Sequence, residues 1–198
     1  MILATRNEHK LRELIEILPQ VGLHALPPDL ELPPEDGDSF AANALIKARA
    51  ARAACAETAV ADDSGIEVEA LGGRPGIYSA RYAGEGASDE ENLEKLLGEV
   101  ADAGGERRAA YVCVIALVDE GGAERTFEGR CEGRLAMTPR GAGGFGYDPA
   151  FVPDDTGPAD ERTMAQLNPA EKHAISHRGR AARLLAEHLG SAERDGSR

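Results

Sequence analysis

The sequence predicts an α/β fold: a single domain on a twisted mixed β-sheet flanked by helices and extended into two lobes. Three observations predict it. Short apolar runs that read as buried strands alternate with amphipathic stretches in the first half of the chain. Two long β-rich segments flank Gly121-Gly122 in the second half, as in a hairpin. No internal repeat, low-complexity tract or linker divides the 198 residues, a length that suits one domain with a real core.

The elements follow in order. "MILAT" reads as a short buried strand. "NEHKLRELIEILPQVG" carries Leu11, Leu14, Ile15 and Leu18 at helical spacing, with Asn7 as N-cap and Pro19 as the stop. "LPPDLELPPEDGD" is a proline-rich, acidic connection. A second helix starts at Ser39 and is rich in Ala, the best helix former. "TAVADDSG" is the next strand and its exit, so Asp62 and Asp63 are expected where that strand ends. "GGRPGIYSARYAGEGA" is a glycine-rich loop of functional length. "SDEENLEKLLGEV" opens with a capping box, Ser88 and Glu91, and keeps Leu93, Leu96, Leu97 and Val100 on one face. After the hairpin, "TPRGAGGFGYDPAFVPDDTGPAD" is a second Gly/Pro-rich loop. A final helix begins at Asn168, with Pro169 at its first position and Glu171 at its third, and is expected to run to about Leu189, where Gly190 suits a C-cap. The domain is thus placed at 1–190, with 191–198 as a disordered tail.

Hydrophobic content of 42% and charged content of 29% fit a soluble globular protein. No apolar run approaches the roughly 20 residues of a membrane span, and the first residues lack the features of a signal peptide. A cytoplasmic protein is expected. Cys55, Cys113 and Cys131 have no CxxC spacing and fit neither a disulfide framework nor a zinc site. They read as small buried residues in a reducing compartment. A formal charge of -13 disfavours long nucleic acids as partners. It leaves room for a small phosphorylated ligand, which needs only a few local cations, a helix N-terminus or a metal ion.

Two motifs are decoys. "GAGGFG" (Gly141, Gly143, Gly146) satisfies GxGxxG, but "YDPAFVP" follows, and two prolines deny the helix a dinucleotide site requires. His173 and His177 stand four apart, but Ala174 occupies the place of the catalytic Glu in HExxH. Other positions carry more. Thr5, Asn7 and Lys10 cluster at a helix N-terminus, which attracts anions. An N-cap beside a surface lysine explains them equally well. Asn43 and Lys47 lie one helical turn apart and could present a second amide and cation. The Asp62-Asp63 pair suits Mg²⁺, a hard ion that keeps waters and shares substrate phosphates. Alone, the pair is better explained by a turn with an Asx cap.

Together "ATRNEHKLREL", "SFAANALIKA", "ADDSGIEVEALGGRPGIYSARYAG", "GGFGYDPAFVP" and "EKHAISHRGRA" resemble the inosine/xanthosine triphosphate pyrophosphatase family, the house-cleaning purine nucleotide pyrophosphatases. The resemblance spans positions 4 to about 181. It implies a mixed α/β fold with a central cleft, a homodimer, a need for Mg²⁺, and hydrolysis of ITP, dITP and XTP to the monophosphate and pyrophosphate. By the same resemblance Thr5, Arg6, Asn7 and Lys10 lie in the triphosphate turn, with Lys47 helping. Asp63 is the general base and a metal contact, with Asp62 beside it and Glu35 as a second metal-site carboxylate. Ser64 touches substrate. Phe145, Gly146, Tyr147 and Asp148 form the base pocket, and Lys172, Ser176, His177 and Arg178 close it. Arg178, with His177 or Lys172, is expected to donate to the 6-oxo group of the base.

This chain departs from the family's pattern twice. Arg6 stands where Gly is usual, and is expected to add a cation or to point to solvent. Ala42 stands where many members have Glu, which places more weight on Glu35. Two other readings compete: a Maf-type pyrophosphatase with another base preference, and a nucleotide-binding sensor without turnover.

Overall fold

Ile2–Leu3 (β1) is the strand that the apolar start foretells. It pairs in parallel with His24–Ala25 (β2), which the sequence did not announce, and with Ala59–Val68 (β3). Arg108–Val118 (β4) and Glu124–Leu135 (β5) form the expected hairpin. Its turn closes with the Gly122 N–H donating to the Asp119 carbonyl (3.0 Å), and the Ala123 N–H to Asp119 Oδ1 (2.8 Å). Phe151–Pro153 (β6) lies in the segment read as loop and pairs antiparallel with β5, Phe151 opposite Leu135. The computed structural model describes residues 1–195 and gives one mixed six-stranded sheet in the order β2-β1-β3-β4-β5-β6.

Among the described residues five α-helices accompany the sheet: Glu8–Ile17 (α1), Phe40–Cys55 (α2), Asp89–Asp102 (α3), Pro169–Ile175 (α4) and His177–Asp195 (α5). The first four start where the capping residues predict. Asn7, Ser39, Ser88 and Asn168 each accept a hydrogen bond from a first-turn amide, and Ser88 and Asn168 complete capping boxes with Glu91 and Glu171. The last helix differs from expectation in two ways. It is broken at Ser176, whose backbone is extended (ψ 153°) after its N–H closes α4 on the Lys172 carbonyl. His173 and His177 therefore sit on separate helices. Nor does the helix stop at Gly190: α5 continues to Asp195, because an interior glycine costs a helix only about 1 kcal/mol. Of the expected tail, 191–195 are helical and 196–198 lie outside the described residues.

The chain divides into two compact units, with β3, β4 and β5 contributing residues to both. Unit 1 comprises Met1–Asp63, Cys113–Gly129 and the chain from Arg178 on; unit 2 comprises Ser64–Val112 and Arg130–His177. In unit 1 the strand residues alternate between two apolar clusters. Ile2, Ala4, Ala59, Ala61 and Ala116 pack with Ala44, Ala48 and Ala51 of α2, whereas Leu3, Val60, Cys113 and Ile115 pack with Leu14 and Leu18 and with Leu185 of α5. Each fully buried Leu or Ile contributes about 1.5–3 kcal/mol. Unit 2 has one cluster, in which Ile66, Val68, Tyr111, Leu135 and Phe151 meet Leu93, Leu96 and Val100 of α3. Among the described residues no helix is long and apolar enough to cross a membrane.

Candidate active site

β3 does not end at Asp62-Asp63. It runs on to Val68, so both carboxylates lie in mid-strand. Successive side chains of a strand point to opposite faces. Asp62 follows Val60 toward α1 and α5; Asp63 follows Ala61 toward α2. Two adjacent like charges are tolerated because cations stand around both: Lys10 and Arg178 contact Asp62, Lys47 approaches Asp63, and both lysines act on both carboxylates. Asp62, expected beside Asp63 at the metal, is fully buried on the other face of the strand.

Asp62 Oδ2 lies 3.1 Å from Lys10 Nζ, 3.3 Å from Arg178 Nη2 and 4.0 Å from the Cys113 thiol. Arg178 Nη1 donates to Glu13 Oε2 at 2.6 Å. Burial pushes the Asp62 carboxyl up, but Lys10, Arg178 and Lys47 outweigh it and hold the group well below the usual carboxylate range. The Cys113 thiol, buried beside this carboxylate, is pushed up to about 12. Burial lowers the Arg178 guanidinium, yet Asp62 and its other neighbours raise it further still. Lys10 and Arg178, both expected on substrate, thus stand on Asp62. Arg178 belongs to unit 1, while the residues expected to frame the base belong to unit 2.

The turn at residues 5–10 is held by its own side chains. Thr5 Oγ1 accepts from the Asn7 N–H (3.2 Å), and Asn7 Oδ1 from the amides of His9 (3.0 Å) and Lys10 (3.1 Å). Asn7 thus caps α1, and Thr5 braces the cap. Arg6 neither joins that turn nor points free to solvent. Its guanidinium donates to the carbonyls of Pro27 (2.7 Å) and Leu30, fastening the start of the acidic connection.

On the other face of β3, Asn43 Nδ2 donates to Asp63 Oδ2 at 3.0 Å, and Asn43 Oδ1 accepts from the Gly37 N–H at 2.9 Å. Lys47 Nζ donates to Glu35 Oε1 (2.5 Å) and to the Asp62 carbonyl (2.7 Å), and lies 3.9 Å from Asp63 Oδ1. The proline-rich connection reaches this point because Gly37 has no side chain: a Cβ there would lie 2.7 Å from Ala42 Cβ. Ala42 is thus a packing partner of Gly37. Burial raises the Asp63 carboxyl above its ordinary value and Glu35 adds to the rise, while Lys47, Lys10 and Asn43 oppose it. Burial lowers the Lys47 ammonium, but Asp62, Glu35 and Asp63 raise it on balance. Asp63 and the half-buried Glu35 are the oxygen donors here that could hold a hard cation. Among the described residues no trio of His, Cys, Asp or Glu gathers tightly enough to hold a metal by protein ligands alone. Two carboxylates completed by waters and a ligand's phosphates suit Mg²⁺ in particular.

Unit 2 holds a second polar cluster. Buried Asp148 accepts from Lys172 Nζ (2.7 Å) and the Phe145 N–H (3.0 Å) at Oδ2, and from the Tyr111 hydroxyl (3.2 Å) at Oδ1. Lys172 Nζ also lies 5.2 Å over the Phe145 ring, within cation–π range. His177 stacks on Tyr111, with ring centroids 4.5 Å apart. Gly146 donates its N–H to Asp89 Oδ2 (2.6 Å) at the start of α3. Tyr147, expected in the base pocket, is a buried residue whose hydroxyl donates to the Ser79 carbonyl (2.7 Å). Buried Ser176 forms the break between α4 and α5, and Ser64 is half-buried in β3.

Two glycines of the loop serve close packing against protein atoms. Gly143 donates its N–H to the Ala165 carbonyl (3.0 Å). Gly144 (φ +72°) crowds Asp148 so closely that a Cβ would lie 2.0 Å from Oδ2. Gly144→Ala is expected to destabilise the protein by about 1–3 kcal/mol, through left-handed strain and displacement of the carboxylate. A denaturant midpoint equal to the parent's would contradict this packing.

Sequence reasoning missed Glu13, Asp89 and Tyr111. Glu13 lies three residues after Lys10 on α1, a spacing that puts the two on one side. Tyr111 was the one hydroxyl in an apolar strand. Asp89 gave no signal beyond its place in the first turn of α3.

The comparisons with known proteins agree. The model of the Ham1 family matches residues 1–188. The dITP/XTP pyrophosphatase of Geobacter sulfurreducens is 48% identical over 195 residues, covering 96% of each chain. That of Symbiobacterium thermophilum is 49% identical over 192 residues, covering 96% of this chain and 94% of its own. Among solved structures, a HAM1 protein from Coxiella burnetii superposes with a TM-score of 0.85 at 40% identity, covering 96% of this chain and 98% of its own. The nucleoside-triphosphatase (dITP/XTP pyrophosphatase) of Mycobacterium abscessus gives 0.73 at 44% identity, covering 93% and 96%. On sequence and on fold alike, the chain belongs to the Ham1 family.

Proposed function

We propose that this protein hydrolyses non-standard purine nucleoside triphosphates (dITP, ITP and XTP) to the monophosphate and pyrophosphate, removing them from the nucleotide pool. The observation that carries this reading is the Asp63 cluster. It is a carboxylate with a raised proton affinity, aimed by Asn43 and flanked by Lys47 and Glu35, in a chain 48% identical to a dITP/XTP pyrophosphatase. Neither the Maf-type reading nor the non-catalytic sensor is favoured by those relatives.

Asp63 and Glu35 would hold Mg²⁺. When bound, the ion draws charge from the phosphate oxygens and lowers the pKa of a bound water. Asp63 accepts the proton of the attacking water, and Asn43 and Lys47 beside it fix where its oxygens lie. Asn43 holds Asp63 in position through one oxygen. Lys47 keeps a full positive charge against the leaving pyrophosphate. Lys10 stands at the N-terminus of α1, and transfer of its ammonium from Asp62 to a phosphate would bring a second cation. In unit 2, Phe145 offers its ring to a purine, and Lys172 and His177 offer donors to a 6-oxo group. An amino group at that position would meet them donor to donor. Arg178 is left out of base recognition and assigned to Asp62. This reading also includes a homodimer, for which Tyr78 and Met137 are exposed large apolar side chains, and a cytoplasmic home, which suits three free cysteines.

Purified protein with Mg²⁺ and a panel of dITP, XTP, dATP and dGTP tests the proposal. Pyrophosphate is the expected first product, with dITP and XTP well ahead of the others. Orthophosphate appearing first, beside a nucleoside diphosphate, would overturn it.

A further inference from the structure

Resting on that reading of unit 2, we propose that Tyr111 is a specificity-determining positioning residue, which fixes Asp148 through its hydroxyl and His177 through its ring. Residues 148 and 177 come from distant segments, the glycine loop and the start of α5, yet both meet Tyr111 on β4. The hydroxyl donates to Asp148 Oδ1 at 3.2 Å. That oxygen faces away from the two donors on Oδ2, Lys172 Nζ at 2.7 Å and the Phe145 N–H at 3.0 Å. Donors on both oxygens fix the rotation of the carboxylate. The carboxylate in turn sets where Lys172 places its ammonium and where Phe145 presents its ring.

The Tyr111 ring lies nearly parallel to His177, at 7° and 4.5 Å, and packs against Phe151 at 4.6 Å and 53°. Phe151 is fully buried and its strand pairs with β5, so the ring has a rigid backing. A stacked imidazole cannot tilt without losing that contact, so the direction of its ring N–H is fixed as well. Donor geometry is what separates a 6-oxo from a 6-amino purine. A site built to hydrogen-bond one group discriminates only as sharply as its donors are held. Tyr111 need not touch the nucleotide to govern this. Its loss is expected to appear as weaker binding of the matching base, with the chemical step intact.

The test compares the parent protein with Tyr111→Phe and Tyr111→Leu. Tyr111→Phe keeps the ring and removes the hydroxyl. Its dITP/dATP ratio of kcat/KM is expected to fall about tenfold, through a higher KM for dITP, with kcat within about twofold of the parent. Its thermal midpoint should stay near the parent's. In NMR spectra of histidine-labelled protein, the His177 ring protons should keep the upfield shift given by the stacked ring in the parent and in Tyr111→Phe. They should lose it in Tyr111→Leu, whose ratio should fall further. A Tyr111→Phe ratio within twofold of an active, selective parent overturns the proposal, as does an equal fall in kcat for both nucleotides. A parent without dITP hydrolysis would instead sink the functional reading, and this proposal with it.

Discussion

Asp63→Asn is expected to lower dITP turnover by about 10²–10⁴-fold, the usual contribution of a positioned general base, with a further loss from the weaker metal site. The fold should not suffer. A carboxyl whose pKa is raised on folding favours the protonated form, so its ionised form weakens the native state at neutral pH. A neutral amide removes that penalty, keeps an oxygen for Asn43, and leaves Lys47 with Glu35 and the Asp62 carbonyl. The variant should therefore melt at or above the parent's temperature while losing activity, the exchange of stability for function expected at a catalytic group. Turnover within tenfold of the parent would show that Asp63 is not the proton acceptor.

Its neighbour should behave in the opposite way. Asp62→Asn is expected to destabilise the protein by about 3 kcal/mol, the lower end for breaking a buried charge pair, because Glu13 still meets Arg178 while Lys10 loses its partner. In a chain of this length that is a fall in Tm of about 6–12 °C. The pH dependence follows from the sign of the shift. The folded pKa of Asp62 is depressed, so its stabilisation is complete above the unfolded value of about 3.9 and is lost as the pH falls through the folded value. The stability gap between parent and variant should be full at pH 7 and should begin to narrow only below about pH 4. Denaturant midpoints at pH 7 and pH 3 measure it. A gap that is the same at both, or midpoints matching at pH 7, would contradict the ion-pair account. The two neighbouring substitutions thus separate a group held for chemistry from a group held for structure.

The sequence by itself determined whatever depends on local chemistry. Asn7, Ser39, Ser88 and Asn168 start helices because their side chains satisfy first-turn amides wherever the chain goes next. Gly121-Gly122 turns the hairpin because a glycine accepts the positive φ that the turn requires. The motifs carried the family resemblance, and with it the expectation of a nucleotide pyrophosphatase. Tertiary structure alone decided which partner each charge meets. "DDSG" looked like a strand exit, but pairing within the sheet extends β3 to Val68, and the two-residue period of a strand then sends Asp62 and Asp63 to opposite faces. Arg178 follows His177 directly in the chain, yet it pairs with Glu13, 165 positions away. Arg6 fastens carbonyls 21 and 24 positions ahead, and Tyr111 reaches Asp148 across 37. Helix caps act within four residues and can be read locally; a buried charge must be neutralised by whatever the fold brings beside it, and sequence spacing carries no record of that.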